Sequence, residues 1–276
     1  QEHQLVDSIK KAATKRMLDS LKDLKTNSFD KYKEFWNEYG LVLKEGPAED
    51  HENKETIASL MLFASTFSNN NSVNQGLDDY VGRMKSDQDK IYFCVADTYE
   101  AAVNSPHIEG LKSKGIEVIL LTDRIDEWLM AGLMEYQGKE LVNAAKEDIE
   151  KEDTSKKVSE ADQDIIKKIK KHLNEKVSDV VISSRLTDSA SCIVLPKHEP
   201  GAQLRKILEA SGQSLGSSNP IFEINIKHKL VKKLKDMKGK QFNAYVDFLY
   251  DYAVIAEGGS PQDPSRYLRQ LDKYLS

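Results

Sequence analysis

Two continuous apolar runs constrain the fold more than any other feature of this sequence: KIYFCVAD, from Lys90 to Asp97, and IEVILLTD, from Ile116 to Asp123. A short apolar run bounded by polar residues is typical of a strand that is buried on both faces. The residues between the runs, 98–114, predict one crossover helix. Two consecutive buried strands joined by a helix should lie parallel, with a right-handed crossover. The sequence therefore predicts a β-α-β unit.

Helical patterns precede this unit. From Leu5 to Leu24, apolar residues recur every three or four positions, which predicts an amphipathic helix with one buried stripe. Ser28 is a suitable N-cap for a second helix, and Gly40 is a suitable end for it. We expect Gly46-Pro47 to end helical geometry and Asp50 to cap a third helix. The stretch from Gly40 to Asp50 is then a turn in a short helical coil.

A helix from Ile125 to Tyr136 and a short strand in KELVNA complete the first block. The next stretch, KEDIEKEDTSKKVSEADQ, carries dense mixed charge and almost no large apolar side chain, which favours a domain boundary. We therefore predict domains at 1–145 and 164–276, separated by a charged linker at 146–163.

The sequence of the second domain contains both helix and strand patterns. A helix at 165–173 leads to strands in DVVISSRL and SCIVL, a short helix at 202–210, an alternating strand in IFEINI and three final helices. The fold class is therefore α/β. The first domain is a helical coil with a small αβα subdomain, and the second is a mixed, α+β-like domain that ends in helices.

Composition disfavours several function classes. The chain has 40 basic and 45 acidic residues, so its net charge of −5 gives no broad reason to bind nucleic acid. No apolar run approaches the roughly 20 residues that cross a bilayer, so we expect no membrane partner. Cys94 and Cys192 belong to no CxxC pair, which favours reduced thiols and a cytoplasmic protein. A start at Gln1 suggests a piece of a longer protein.

Motifs for catalysis or ligand binding are sparse. A phosphate site needs a glycine-rich turn between strand and helix, but the residues after Ala96 read DTYEAAVN. His198 and Glu199 are adjacent on a loop and converge poorly, so no metal site is predicted. Two acid clusters fall at predicted helix starts, where helix capping explains them better than acid–base catalysis. The clusters are Glu45, Glu49 and Asp50, and Asp123, Asp126 and Glu127.

Five segments carry a resemblance to a known family: FWNEYGLVLKEGPAED, LDDYVGRMK, GIEVILLTDRIDEWLM, SSRLTDS and DPSRYLRQL. In this order, and over nearly the whole chain, they resemble the middle and C-terminal domains of the bacterial ninety-kilodalton heat-shock chaperones. The resemblance implies that the Gly-Pro joint belongs to a helical coil linking two α/β subdomains. It also implies a parent protein that is an ATP-dependent, dimeric, V-shaped chaperone.

The resemblance further implies which functions this chain lacks. In the family, ATP and Mg are bound by an N-terminal domain with no counterpart in this sequence, so we expect no cofactor for the chain itself. Gln1 matches a glutamine of the family's middle-domain ATPase loop, whose arginine would lie just upstream. The implied partners are a second copy of the chain, unfolded or partly folded clients, and a DnaK-type chaperone.

Client contacts are predicted at Trp128 and on the short helix at 202–210, whose large apolar residues Leu204, Ile207 and Leu208 form one stripe between flexible loops. In the family, the matching helix and tryptophan face the cleft of the dimer. An exposed apolar patch can hold many unfolded sequences by non-directional burial. The alternative is a core role, and Trp128 does follow Ile125 at core spacing.

The last two helices predict a homodimer interface. Residues 242–256 are apolar on two sides of a helix and need two partners, and Asp263 with Pro264 begins the final helix. Two such helices per protomer would form a four-helix bundle, as in the family. The alternative is that both helices cover their own sheet. The predicted interface residues are Phe248, Leu249, Tyr252, Ile255, Leu268, Leu271 and Leu275.

Other roles have weaker support. Lys15 and Arg16, on the polar side of the first helix, are candidates for contact with the partner chaperone, and an ordinary solvated face is the alternative. A small-molecule enzyme could use the loops at the carboxyl ends of the strands, and a purely structural dimerisation module is a third reading. Asp97-Thr98 and Thr122-Asp123 offer only helix caps at those ends, which disfavours the enzyme.

Overall fold

The structure is a computed structural model that describes residues 2–68, 70–146, 159–196 and 219–275. Its helices are α1 (Glu2–Asn27), α2 (Phe29–Glu49), α3 (Lys54–Leu60), α4 (Leu77–Arg83), α5 (Tyr99–Val103), α6 (Glu109–Ser113), α7 (Asp126–Gly132), α8 (Glu160–His172), α9 (Lys229–Lys232), α10 (Gly239–Ala256) and α11 (Pro264–Leu275). Its strands are β1 (Ala64–Ser65), β2 (Lys90–Val95), β3 (Val118–Leu121), β4 (Glu135–Tyr136), β5 (Lys139–Asn143), β6 (Asp179–Ile182), β7 (Ser191–Val194) and β8 (Ile221–Ile224).

The strands confirm the predicted α/β class. β1 to β5 belong to one mixed sheet and β6 to β8 to a second. β2 and β3 are parallel, as predicted, with Tyr92 opposite Val118 and Val95 opposite Leu121. In the second sheet, β8 lies between β6, which is parallel to it, and β7, which is antiparallel. β4 and β5 form a hairpin whose turn residues, Gln137 and Gly138, both have left-handed backbones, with φ of 49° and 71°.

The chain divides into two compact units. Unit 1 comprises 1–91 and 123–141, and unit 2 comprises 92–122 and 142–276. This division differs from the predicted domains at 1–145 and 164–276. Most of the predicted linker, residues 147–158, lies outside the described residues, so that domain boundary stays a prediction.

The crossover between β2 and β3 is not the single helix that the sequence predicts. It consists of α5, a 3₁₀ turn at Pro106–Ile108, and α6. Pro106 has no N–H to donate, which interrupts the helical hydrogen bonds. Thr98 caps α5 by accepting the N–H of Ala101, and Ser105 caps the turn by accepting the N–H of His107.

Helix α2 is longer than the sequence predicts. It continues through Gly40, Gly46 and Pro47 to Glu49, so the stretch from Gly40 to Asp50 is not a turn. Gly40 serves side-chain packing instead, because a Cβ there would lie 2.8 Å from the indole ring of Trp36. Pro47 is buried and has no N–H to donate to the preceding turn, and the helix continues for two residues beyond it.

The caps around α3 also differ from expectation. Asp50 ends α2, donating its N–H to the carbonyl of Gly46 at 2.8 Å. Asn53, not Asp50, is the N-cap residue of α3. The Asp50 carboxylate accepts the backbone N–H of Asn53 at 3.1 Å and its amide at 2.8 Å. Asp50 therefore stabilises the turn between the two helices.

The predicted buried stripe of α1 is only half-buried at Leu21 and Leu24, and its earlier members are exposed. Leu18 is buried, whereas Leu5, Ile9 and Met17 are exposed by 61–66%. The side chains that contact α3, such as Lys22 and Lys25, lie in the C-terminal half. A regular apolar stripe is thus not sufficient for burial, because burial also requires a partner along its whole length.

Candidate protein-interaction surfaces

Trp128 lies on α7 in unit 1 and is 54% exposed. The next two residues along the helix, Leu129 and Met130, are buried and hold the helix against its neighbours. The exposed fraction contradicts the alternative of a core tryptophan. Its predicted contact with clients stays a prediction.

A buried ion pair fixes the start of α7. Lys44 from α2 is 4% exposed, and its Nζ lies 2.6 Å from Asp123 Oδ2 and 2.6 Å from Asp126 Oδ1. The other oxygen of Asp126 accepts the N–H of Asp123 at 2.8 Å. Burial raises the pKa of Asp126, and the positive charge of Lys44 opposes that rise. The exposed Trp128 therefore projects from a helix with a rigid base.

This ion pair corrects the interpretation of the acid clusters. Asp123 and Asp126 do lie at a helix start, but their carboxylates bind a buried lysine in addition to any capping role. Glu45 and Glu49 lie in the last turns of α2, not at a helix start. α2 and α7 also approach closely, since a Cβ on Gly132 would lie 3.3 Å from Ala48.

The remaining client-contact residues, Leu204, Ile207 and Leu208, lie outside the described residues, as do Gln1, His198 and Glu199. Their predicted roles therefore stay predictions.

Two of the predicted dimer-interface residues belong to the core of their own unit. Phe248 is 3% exposed and Leu249 is fully buried. The Phe248 ring stacks on Tyr267 with centroids 5.4 Å apart and meets Tyr274 edge-on at 5.2 Å. Phe248 and Leu249 are therefore buried within their own unit, as the alternative expects, and the dimer interface itself stays a prediction.

The other predicted interface residues are more accessible. Ile255 is 42% exposed and Leu268 is 58% exposed, while Tyr252 and Leu271 are partly buried against the core. The side chain of Leu275 is not among those described. The exposed apolar surface of α10 and α11 therefore includes fewer of the predicted interface residues than expected. Its exposed members are Ile255 and Leu268.

Polar contacts fix α11 against α10. Arg266 Nη2 donates to Asp251 Oδ2 at 3.1 Å, and Asp251 is only 2% exposed. Gln270 Nε2 donates to the carbonyl of Ala244 at 3.0 Å. These contacts hold Leu268, which lies between them in sequence, in a defined position.

Sequence reasoning missed Arg185, which lies in the SSRLTDS segment and is 4% exposed. Its Nε donates to Glu223 Oε2 at 3.1 Å, and its terminal nitrogens donate to the carbonyls of Ala144 at 2.5 Å and Lys146 at 3.2 Å. Glu223 alternates with the apolar Phe222 and Ile224 in the IFEINI strand, yet it is only 8% exposed and pairs with Arg185. A charged pair can thus replace an apolar contact in a core, and the alternating pattern does not reveal it.

Glu109 was also missed. Its carboxylate accepts the backbone N–H groups of Thr187, Asp188 and Ser189 at 2.8–3.1 Å, and the hydroxyl of Ser189 at 2.5 Å. Burial acts to raise the pKa of Glu109, but these hydrogen bonds outweigh burial and lower it. Gly110 allows this approach, since a Cβ there would lie 2.9 Å from the carbonyl oxygen of Arg185.

Lys15 and Arg16 are both exposed on α1. Lys15 lines a groove of about 420 Å³ with Lys11, Leu18 and Glu52. Lys11 Nζ lies 3.0 Å from Glu52 Oε1, an exposed pair. Lys15 and Arg16 are therefore accessible, and their contact with a partner chaperone stays a prediction.

Among the described residues, the side chains that follow β2 and β3 have structural roles. Thr98 caps α5, and Asp123 binds Lys44. Cys94 and Cys192 are buried, and burial raises the pKa of the Cys94 thiol to about 12 and that of Cys192 well above its usual value. Within the described ranges, no group of three or more histidine, cysteine, aspartate or glutamate residues is arranged to hold a metal ion. No helix of that part of the chain is long and apolar enough to span a membrane.

Comparison with known proteins identifies relatives over the whole sequence. The family model described as Hsp90 protein matches residues 1–276. The chaperone protein HtpG of Legionella pneumophila (strain Lens) is 44% identical over 281 aligned positions, which cover 100% of this chain and 45% of that protein. HtpG of Colwellia psychrerythraea is 43% identical and HtpG of Shewanella halifaxensis 42%, each with 100% of this chain and 44% of the relative covered. The chain thus spans about half the length of the curated relatives it matches.

Proposed function

Since the chain belongs to the Hsp90 family, we propose that it supplies the client-contact and homodimerisation surfaces of an HtpG-type chaperone that assists protein folding. In this proposal, ATP and Mg are bound by the part of the longer protein that lies outside this chain. The chain itself binds no nucleotide, and Gln1 contributes to hydrolysis only when the nucleotide domain docks. A DnaK-type chaperone is the proposed partner at Lys15 and Arg16.

The exposure of Trp128 is the observation that supports a client role most directly. A tryptophan has a large apolar surface, and tryptophan is enriched among the residues that contribute most to binding at protein interfaces. Trp128 is 54% exposed although its helix is fixed by the buried Lys44, Asp123 and Asp126. Because the helix that carries the indole is already held in place, less conformational entropy is lost when a client binds.

The proposed client contact can be tested on this chain through tryptophan fluorescence. The chain has two tryptophans, of which Trp36 is 6% exposed and Trp128 is 54% exposed. A reduced and alkylated, permanently unfolded test protein should shift the emission of Trp128 to shorter wavelength and protect it from acrylamide. In Trp36→Phe, which keeps Trp128 as the reporter, the shift should persist. In Trp128→Phe it should disappear.

Binding itself needs a matched control. Trp128→Ser should weaken the affinity for the unfolded test protein by about 5- to 30-fold, or about 1–2 kcal/mol. Met17→Ser removes another exposed apolar side chain, 66% exposed on α1, and should leave the affinity unchanged. Equal losses in both variants, or no loss in Trp128→Ser, would contradict a specific client contact at Trp128.

The small-molecule enzyme is not supported as an alternative. The relatives are chaperones by name, and the strand-end residues of this chain serve as caps and ion-pair partners. The free, buried cysteines and the chaperone relatives favour a cytoplasmic protein, which we include in the proposal.

A further inference from the structure

Helix α2 of unit 1 exposes an apolar stripe that none of the roles above uses. Phe35, Tyr39 and Val42 lie at positions i, i+4 and i+7, so they share one side of the helix. Phe35 is half-buried, whereas Tyr39 is 57% exposed and Val42 is 64% exposed. Adjoining exposed apolar residues with charged residues beside them are typical of sites that bind another protein.

The aromatic rings of α2 follow one another from the core to the surface. Tyr32 is fully buried, and its hydroxyl donates to the carbonyl of Leu60 on α3. The centroid of its ring lies 5.8 Å from that of Phe35, and the Phe35 ring stacks on Tyr39 with centroids 5.4 Å apart. The exposed ring of Tyr39 is thus held through Phe35 by a buried neighbour. A partner that covers Tyr39 immobilises it at little further entropic cost.

The exposed charges on this part of α2 are acidic. From residue 34 to residue 49, the only basic residue of the helix is Lys44, whose charge is buried in the ion pair described above. Glu38 lies three positions after Phe35 and four before Val42, and Glu45 lies three positions after Val42, so both glutamates adjoin the stripe. Both are exposed, and neither carboxylate forms an ion pair with another described residue. The stripe therefore has unpaired negative charge beside it.

The backbone and the charge of this surface indicate what kind of partner fits it. A helix satisfies its own backbone hydrogen bonds, so α2 offers no main-chain donors or acceptors to an extended peptide. A partner that covers the stripe must satisfy its own backbone groups, as a second helix does. Apolar side chains at i, i+4 and i+7 suit a helix, because the ridges of one helix fit the grooves of another. The glutamates favour lysine or arginine beside the apolar residues of that helix.

We propose that the α2 surface, made of Phe35, Tyr39, Val42, Glu38 and Glu45, docks an amphipathic helix of a partner protein that carries lysine or arginine beside its apolar stripe. The apolar side chains of the partner cover Tyr39 and Val42, and its cations pair with Glu38 and Glu45. This partner differs from an unfolded client, because it is recognised as a helix and by its charge.

Two synthetic amphipathic peptides of about 15 residues test the charge of the partner. One contains only leucine and lysine, with leucine at helical spacing, and the other has glutamate in place of every lysine. At low salt, fluorescence anisotropy with the whole 276-residue chain should show at least about tenfold tighter binding of the lysine peptide. Equal binding of the two peptides, or no binding of the lysine peptide up to about 100 μM, would overturn the proposal.

Substitutions on α2 test the apolar stripe. Tyr39→Ser should weaken binding of the lysine peptide by about tenfold, and Val42→Ser, which removes a smaller side chain, by about threefold. Leu41→Ser is the matched control, since Leu41 is 58% exposed on the same helix but lies off the stripe. This control and Trp128→Ser, which alters the proposed client contact, should both stay within about twofold of the unchanged chain. Circular dichroism checks folding, and an equal loss in either control would contradict docking on the stripe.

A pair of double variants separates the local glutamates from the net charge. Glu38→Gln with Glu45→Gln should weaken binding of the lysine peptide by about fivefold at low salt, and this difference should nearly vanish at about 1 M salt. Glu135→Gln with Glu140→Gln makes the same change of net charge at exposed positions of the β4–β5 hairpin and should change the affinity by less than about twofold. Equal losses in the two double variants would show that net charge alone attracts the peptide, and would overturn the proposal.

A second copy of the chain is the alternative occupant of the α2 surface. Analytical ultracentrifugation without peptide should give the same mass for the unchanged chain and for Tyr39→Ser. A lower mass for the variant would assign the surface to self-association and would rule out a partner helix there.

Discussion

The buried charge of Lys44 should contribute strongly to stability once it is paired. Its charge lies between α2 and α7, 4% exposed, with the fully buried Asp126 as a partner. A buried pair of this kind adds little over an apolar contact, because removing two charges from water offsets their attraction. Removal of one partner is different, since it leaves the other charge buried and unpaired.

We therefore expect Lys44→Ala to lower the free energy of unfolding by about 3–5 kcal/mol. Lys33→Ala is the matched control, because Lys33 pairs with Asp30 at 2.8 Å on the surface of the same helix. That control should change the free energy by less than about 1 kcal/mol. Urea unfolding at neutral pH measures both. Similar losses in the two variants would contradict the special role of the buried pair.

Glu109 should make part of the stability depend on pH. Its pKa is lowered in the folded state, so the carboxylate form is favoured by folding. A carboxyl group whose pKa is lower in the folded state stabilises the fold at pH values above its unfolded pKa of about 4.3. This stabilisation is lost as the pH falls through the folded pKa.

Glu109→Gln should accordingly destabilise the chain by about 1–3 kcal/mol at pH 7, since three backbone N–H groups lose a charged acceptor. The difference between the two proteins should shrink as the pH falls below about 4.3. Urea unfolding at pH 7, 5, 4 and 3 gives this difference directly. A difference that is constant over the whole series would show that the charge of Glu109 does not contribute.

At the scale of elements, the glycines of two helices have opposite roles. Gly40 lies inside α2 against Trp36, with an added Cβ only 2.8 Å from the indole. Gly82 lies inside α4, and nothing lies within 4 Å of an added Cβ. Helix propensity alone favours alanine over glycine at both positions by about 1 kcal/mol.

Packing should reverse that preference at Gly40. We expect Gly40→Ala to destabilise the chain by about 1–3 kcal/mol, because Trp36 is buried and has little room to move. Gly82→Ala should be neutral or should stabilise by up to about 1 kcal/mol. Thermal and urea unfolding check both. An increase in stability for Gly40→Ala would show that the indole can shift at little cost.

At the scale of the whole molecule, the proposed homodimer should depend on the exposed residues of α10 and α11. Ile255→Glu combined with Leu268→Glu should convert a dimer into a monomer at tens of micromolar, because each substitution places a charge in the apolar interface. Analytical ultracentrifugation measures the mass, and circular dichroism checks that the fold is intact. A dimer that survives both substitutions would exclude this surface.

Phe248→Ala provides the contrast, since Phe248 packs on Tyr267 and Tyr274 within its own unit. It should lower the free energy of unfolding by about 3–5 kcal/mol. At low denaturant, the folded fraction should keep the dimer mass. Loss of the dimer without loss of stability would instead place Phe248 at the interface.

The sequence by itself determined the α/β class, the parallel pair of β2 and β3, the β5 strand and the family, because these depend on local apolar pattern and on long matching segments. The tertiary structure alone decided which side chains are buried. α2 continues past Gly40, against which the Trp36 ring packs, and Leu5 and Ile9 stay exposed because the contacts of α1 with α3 lie in the other half of the helix. Trp128 is exposed, whereas Lys44 and Glu223 are buried, because each position is set by residues distant in sequence. Burial is a property of pairs of elements, and a periodic pattern describes only one of the two.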